Sequence, residues 1–118
     1  MELISYLLIE FNIKRMKIKR EKILLALQSS LLGEVYQSVR AVVFKYDPEC
    51  KHFILRYYLD KVPDENDNES IGNVVAEFIS NFKYSDFNKV EEECIYSIKS
   101  LSELDIMDGV VYCRKEVK

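Results

Sequence analysis

Two β-rich runs lie close together near the middle of the chain, and they constrain its fold more than any other feature. They span residues 39–46 and 52–59. β-Branched and aromatic residues fill both runs, as is typical of strands. Asp47 and Pro48 between them suit the first two positions of a type I turn, because proline pre-sets the backbone angle needed there. The sequence therefore predicts an antiparallel β-hairpin.

The register of this hairpin decides which side chains share a face. If Tyr46 lies opposite His52, alternation places a nearly all-apolar set toward the core. This set is Val39, Ala41, Val43, Phe53, Leu55, Tyr57 and Leu59. The other face is mixed, with Arg40, Val42, Phe44, Tyr46, His52, Ile54, Arg56 and Tyr58. It is unusually apolar for a solvated face, so we expect another part of the chain to cover it.

Helical patterns flank the hairpin on both sides. Between residues 19 and 32, one apolar stripe recurs at helical spacing, and Gly33 follows where a left-handed C-terminal cap is wanted. Its members are Ile23, Leu24, Leu27 and Leu31. The acidic stretch 61–69 predicts a loop that leads into a second helix, and Asp64 or Asp67 within it can cap that helix. The buried face of that helix is Ile71, Val74, Val75, Phe78, Ile79 and Phe82.

Two further strands complete the pattern. Alternation predicts one from about Glu93 to Ile98, and a turn at Asp108 and Gly109 precedes another at 110–115. The order is then α-β-β-α-β-β. It predicts an α+β fold, with two helices packed on one face of a mostly antiparallel four-stranded sheet. If the last two strands pair, Cys94 and Cys113 face each other, as two core thiols or as a redox-sensitive bridge.

A chain of 118 residues fits one domain, which we place at residues 16–118. Met16 offers a second start, so residues 1–15 are either an extension of the gene or an additional N-terminal element. In the second case its apolar side chains at 7–11 would cover the mixed face of the hairpin. The apolar run 3–9 lacks the charge order of a signal peptide and is far short of the ~20 residues that span a bilayer. We therefore predict a cytoplasmic protein with no membrane anchor.

The charge of the chain is uneven. Residues 1–22 hold six Lys and Arg against three acids, a balance of +3, while the whole chain carries −3. The remaining 96 residues therefore carry −6. Such an acidic body disfavours binding to nucleic-acid phosphates and favours a basic protein as partner.

The residues that support catalysis or cofactor binding do not form a recognisable pattern. His52 is the single histidine, Cys50, Cys94 and Cys113 lack the spacing of a zinc site, and no glycine-rich phosphate loop occurs. The oxygen-rich run 64–68 lacks the glycine and distal glutamate of a calcium loop. Catalysis by two dispersed carboxylates would require environments that split their pKa values. We predict no enzyme activity, no metal and no cofactor.

Several short runs resemble a known family. They lie at 31–34, 39–42, 55–60, 77–79 and 111–116. Over residues 17–116 the chain is similar to small immunity proteins of bacterial contact-dependent growth inhibition and related polymorphic toxin systems, whereas residues 1–15 have no counterpart. The resemblance implies a cytosolic protein that binds the catalytic domain of a toxin and blocks it. Many such toxins are nucleases with basic surfaces.

Charge and position suggest where such a partner would bind. The second strand of the hairpin runs into the acidic stretch, which combines long-range steering of a basic partner with an aromatic anchor. The candidate contacts are Tyr58, Asp60, Asp64, Glu65 and Asp67. The alternative is a homo-oligomeric structural or adaptor domain that buries the Phe44 and Ile54 face against its own copy. Monomer and homodimer both remain open.

Overall fold

A computed structural model of the protein describes residues 19–116. Its elements in chain order are α1 (Arg20–Leu31), β1 (Val39–Asp47), β2 (His52–Leu59), α2 (Glu65–Ile79), β3 (Lys89–Tyr96) and β4 (Gly109–Cys113). The predicted order and the α+β class are confirmed. Within this part of the chain, no helix combines the length and apolarity needed to cross a membrane. Our expectations for residues 1–15 lie outside the described residues.

The four strands form one sheet in the order β3-β2-β1-β4. β1 pairs antiparallel with both β2 and β4, whereas β2 and β3 are parallel. The sheet is thus mostly antiparallel with one parallel pair. The crossover through α2 makes this pair possible, because it returns the chain to the end of the sheet where β2 begins. Because β3 and β4 lie at opposite edges, our pairing of the last two strands is wrong. Cys94 and Cys113 do not face each other, and both are free thiols.

The hairpin is confirmed, but its register differs from our prediction by one residue. Tyr46 pairs with Phe53 and Asp47 with His52, because β1 continues through Asp47 before the turn. A slip of one residue exchanges the two faces of a strand. Val42 and Phe44 therefore join Phe53, Leu55 and Tyr57 in the main core.

A β-bulge near the start of β1 keeps Val39 in the same core. Val39 pairs with Leu59 and Ala41 with Tyr58, so Arg40 is the extra residue. Because of the bulge, Val39 lies on the core face that we predicted for it, whereas the residues of β1 after the bulge follow the shifted register.

Both helices pack on one face of the sheet, as predicted. The centre of this face is aromatic: Phe53 stacks on Phe78 with ring centroids 4.5 Å apart, and Phe82 and Phe87 pack against Phe78. Gly33 follows α1 with φ of +78°, as its predicted capping role requires. The main core therefore lies between the two helices and this face of the sheet.

The segment between β3 and β4 covers part of the opposite face. It includes a 3₁₀ turn at Leu101–Glu103 and runs from one edge of the sheet to the other. Leu104 is buried there against Ala41, Val43 and Tyr58. The two faces therefore differ: helices cover one, and an irregular segment covers part of the other.

Candidate functional site

The parallel strands β2 and β3 end side by side, and the segments that leave them form the candidate site. The Ser97 N–H donates to the Leu59 carbonyl at 3.1 Å, which holds the two strand ends together. Three large apolar side chains are exposed here: Val62 at 71%, Tyr96 at 47% and Ile98 at 85%. Exposed acids accompany them: Asp60, Asp64, Glu65, Glu103 and Asp105. We call these eight residues the β2–β3 end surface.

Asp64 and Asp67 fix the start of α2. Asp64 is the N-cap, and its Oδ1 accepts from the Asp67 N–H at 3.2 Å, while the Asp64 N–H donates to Asp67 Oδ2 at 2.9 Å. This reciprocal capping box satisfies two N–H groups that the helix leaves free. The helix therefore begins at Glu65, inside the stretch that we expected to be a loop.

Asp67 is buried beneath this surface and holds its backbone in place. It is only 1% exposed, and its carboxylate accepts hydrogen bonds from the Tyr36 hydroxyl and the Lys61 ammonium. Burial alone would raise the pKa of Asp67, but the hydrogen bonds from Lys61 and Tyr36 outweigh it and lower that pKa. Asp67 therefore stays ionised and holds the loop that carries Asp60 and Asp64.

Tyr58 has a similar supporting position on the other face. It is 4% exposed, and its hydroxyl donates to the Asp105 carbonyl at 2.7 Å and accepts from Arg56 Nη1 at 3.0 Å. Arg56 is paired in turn with Glu93 at 2.6 Å. Tyr58 thus fastens the segment 97–108 to the sheet. Of the five predicted contacts, Asp60, Asp64 and Glu65 are exposed, whereas Tyr58 and Asp67 lie beneath them.

Sequence reasoning missed a network that joins all four strand ends, which we call the C-terminal clasp. Arg40, only 6% exposed, donates from Nε and Nη2 to both oxygens of Glu116, at 2.8 and 2.7 Å. Its Nη1 donates to the Ser97 carbonyl at 2.8 Å. Arg114 bonds Glu116 at 2.8 Å and Asp60 at 2.7 Å. The clasp therefore consists of Arg40, Asp60, Ser97, Arg114 and Glu116.

The clasp depends on the ionised form of Glu116. Hydrogen bonds from Arg40, followed by those from Arg114, lower the pKa of Glu116 to about 2. The sequence signal that could have revealed the clasp is Arg40 itself, an arginine within the otherwise apolar run 39–44. The clasp also pairs Asp60 with a cation of the chain itself.

A cleft of about 380 Å³ opens between the end of β3 and the segment 97–108. Its lining includes two tyrosines, two aliphatic side chains and two acids: Tyr58, Tyr96, Ile95, Leu104, Glu103 and Asp105. Within residues 19–116, Glu103 and Asp105 form no ion pair. The cleft therefore combines apolar walls with two carboxylates that form no ion pair among the described residues, and Lys99 also lines it.

The described residues offer no constellation for metal binding, since they contain no group of three or more His, Cys, Asp or Glu side chains that could hold an ion. His52 lies at the opposite end of β2, with Nε2 3.0 Å from Glu91 Oε2. The β2–β3 end surface instead groups exposed apolar side chains with exposed acids, and we interpret it as a candidate protein-binding surface.

Comparison with known families supports this interpretation. The family model described as "MafI2 immunity protein" matches residues 20–116. The matched range starts at the first residue of α1 and ends at Glu116, so it contains both helices, the whole sheet and the clasp. No curated protein matches the chain.

Proposed function

Because the chain belongs to the MafI2 immunity protein family, we propose that it binds the catalytic domain of a bacterial toxin in the cytoplasm and neutralises it. The observation that carries this proposal is the family match over residues 20–116. The chain acts as an inhibitor that forms a complex and has no turnover of its own. The toxin domain is a nuclease with a basic surface.

The charge of the chain supports a basic nuclease as the target. A nuclease must bind a polyanion, so positive charge surrounds its active site. Residues 23–118 of this chain carry −6, and exposed acids gather at the β2–β3 end surface. Opposite charges on the two partners accelerate their encounter and orient them before contact. An acidic protein lying over the basic groove then excludes the nucleic acid.

The β2–β3 end surface supplies both kinds of contact that a tight complex needs. Asp60, Asp64 and Glu65 are exposed and meet the partner directly, while Tyr58 and Asp67 hold their segments in place from below. The exposed apolar side chains beside them give contacts that exclude water. Such contacts lengthen the lifetime of the complex, whereas surface charge mainly increases its rate of formation.

The alternative was a homo-oligomeric adaptor that buries a face with Phe44 and Ile54 against its own copy, and the structure contains no such face among the described residues. Phe44 is 1% exposed and lies in the main core beneath the helices. Ile54 alternates with Phe53 and Leu55 along β2 and so lies on the other face. The predicted Phe44 and Ile54 face is therefore wrong, because the register places the two side chains on opposite sides of the sheet.

Co-expression with the toxin domain encoded by the neighbouring gene tests the proposal. We expect the two proteins to co-purify, the nuclease activity to disappear in the complex, and the association rate to fall steeply as salt increases. A duplex DNA fragment serves as the control ligand, and the chain alone should not bind it. Failure of the two proteins to associate at low salt would contradict the proposal.

A further inference from the structure

We propose that the cleft beside Tyr58 receives one long cationic side chain of the toxin domain, an arginine in preference to a lysine. This inference rests on the function proposed above and adds the place and chemistry of the central contact. The cleft measures about 380 Å³, within the range of roughly 300–1,000 Å³ in which pockets hold small ligands. It is therefore large enough for one extended side chain.

The lining of the cleft matches the two parts of an arginine side chain. Ile95 and Leu104 offer aliphatic surface to the methylene stem, and the exposed ring of Tyr96 offers a face to the guanidinium. Tyr58 forms part of the floor, and the Arg56 guanidinium already lies over its ring, 5.6 Å from the centroid. Glu103 and Asp105 belong to the wall formed by the segment 97–108. A guanidinium is planar, bonds carboxylates in pairs and is weakly hydrated, so it suits this lining better than an ammonium group does.

Other acids near this end of the sheet already have cations of their own. Asp60 pairs with Arg114 at 2.7 Å, Asp64 with Lys61 at 3.3 Å, and Glu93 with Arg56. A partner cation that binds those acids must compete with an existing ion pair. At Glu103 and Asp105 it meets no such competitor within residues 19–116, so the gain on binding is larger there.

The surroundings of the cleft favour exclusion of water on binding. Ile98 is 85% exposed and Ile106 50%, and each is next in the chain to a lining residue. Contacts around a central charged anchor strengthen it by keeping solvent away. Lys99 also lines the cleft, and its ammonium has the same charge as the guanidinium that we propose to bind there. It is exposed and weakens the binding of a cation, which provides a second test.

The first test removes the two carboxylate charges and leaves the shape unchanged. Glu103→Gln with Asp105→Asn retains the Asn Oδ1 as an acceptor for the Met107 N–H, which Asp105 Oδ1 binds at 2.9 Å. The matched control, Glu49→Gln with Glu77→Gln, makes the same change in net charge at exposed acids away from the cleft. Binding is measured by surface plasmon resonance against the purified toxin domain encoded by the neighbouring gene.

We expect the cleft variant to raise the dissociation constant at least about tenfold, mainly through faster dissociation, and the control to raise it less than about threefold. Equal effects of the two variants would overturn the inference while leaving the proposed function intact. Absence of binding by the wild-type chain would instead overturn the function itself. Dissociation constants that agree with the wild type for both variants would also overturn the inference.

The second test acts in the opposite direction, so that misfolding cannot imitate the expected result. Lys99→Glu adds a carboxylate to the cleft, and Lys45→Glu makes the same change at an exposed lysine near the hairpin turn. We expect Lys99→Glu to slow dissociation by about threefold or more, and Lys45→Glu to leave the dissociation rate unchanged. Faster dissociation of the Lys99→Glu variant would overturn the inference.

Discussion

The two faces of the sheet differ in the side chains that cover them and in the contacts these side chains make. On the face covered by helices, aromatic rings pack on one another: Phe53 stacks on both Phe44 and Phe78. On the other face, polar side chains organise the contacts, with Arg56 and Tyr58 as the centre of a hydrogen-bonded chain that reaches the backbone of Asp105. The first face therefore forms the main apolar core, and the second is organised by hydrogen bonds and ion pairs.

We propose that this difference separates the residues that stabilise the domain from those that recognise a partner. Apolar packing is non-directional and tolerates little loss of volume, so the helix face sets the free energy of unfolding. Hydrogen bonds and ion pairs contribute less net stability but fix side chains in direction. The polar face can therefore present charges in a defined geometry. Substitutions on the two faces should have separable effects, and the three predictions below test that separation.

The largest effect is expected for Phe53→Ala on the helix face. Phe53 is fully buried, and its ring contacts those of Phe44, Phe78 and Phe87. Its removal leaves a cavity, so the free energy of unfolding should fall by about 3–5 kcal/mol. Leu104→Ala is the counterpart on the other face, and it should lower the free energy by only about 2 kcal/mol because the irregular segment can collapse around it. Urea unfolding measures both. Equal losses would remove the distinction between the faces.

Sequence patterns predicted most of the helix face. The stripe from Ile71 to Phe78 recurs at helical spacing, and Gly33 lies at a positive φ as its position after α1 required. These signals are local, because helical periodicity and capping depend on neighbours within four residues. The hairpin was predictable for the same reason. Its register was not, because β1 extends one residue further into the turn than the sequence pattern indicated.

The polar face was less predictable because its contacts join residues far apart in sequence. Arg40 meets Glu116 across 76 positions, and Tyr58 meets Asp105 across 47. No periodicity reports such pairs. The acidic stretch did indicate exposed charge, since Asp60, Asp64 and Glu65 are exposed at the β2–β3 end surface. Their contact with a partner stays a prediction. The roles of Asp67 and Tyr58 depend on burial, which charge and position in the sequence do not reveal.

The second prediction concerns the clasp, where Glu116→Gln should have an intermediate effect. The variant leaves the buried Arg40 guanidinium without its carboxylate, so the free energy of unfolding at pH 7 should fall by about 1–2 kcal/mol, less than for a fully buried pair because Glu116 is 23% exposed. Glu49→Gln, at an exposed acid of the hairpin turn, should change it by less than about 0.5 kcal/mol.

The pH dependence gives this prediction its sharpest test. The clasp lowers the pKa of Glu116 from its ordinary value of 4.5 to about 2. The folded state therefore gains stability from the carboxylate above pH 4.5, and that gain is lost as pH falls from 4.5 toward 2. We expect the difference between the wild type and Glu116→Gln, measured by urea unfolding, to shrink across this window. A difference that stays constant from pH 7 to pH 2.5 would contradict an ionised Glu116 in the clasp.

The smallest effect, and the cleanest separation of the two faces, is expected for Gly72→Ala in α2. A methyl group at Gly72 would lie 3.7 Å from the Glu92 carboxylate oxygens, which is ordinary van der Waals contact, so the folded state accepts it without strain. Because alanine has less backbone freedom than glycine in the unfolded chain, the free energy of unfolding should rise by about 0.5–1 kcal/mol. Gly33→Ala makes the same substitution at a φ of +78° and should lower it by a similar amount. Gly72 lies on the helix side of the sheet, away from the cleft, so its variant should bind the toxin domain with unchanged affinity. A weaker complex formed by the more stable variant would show that the helix face takes part in recognition as well.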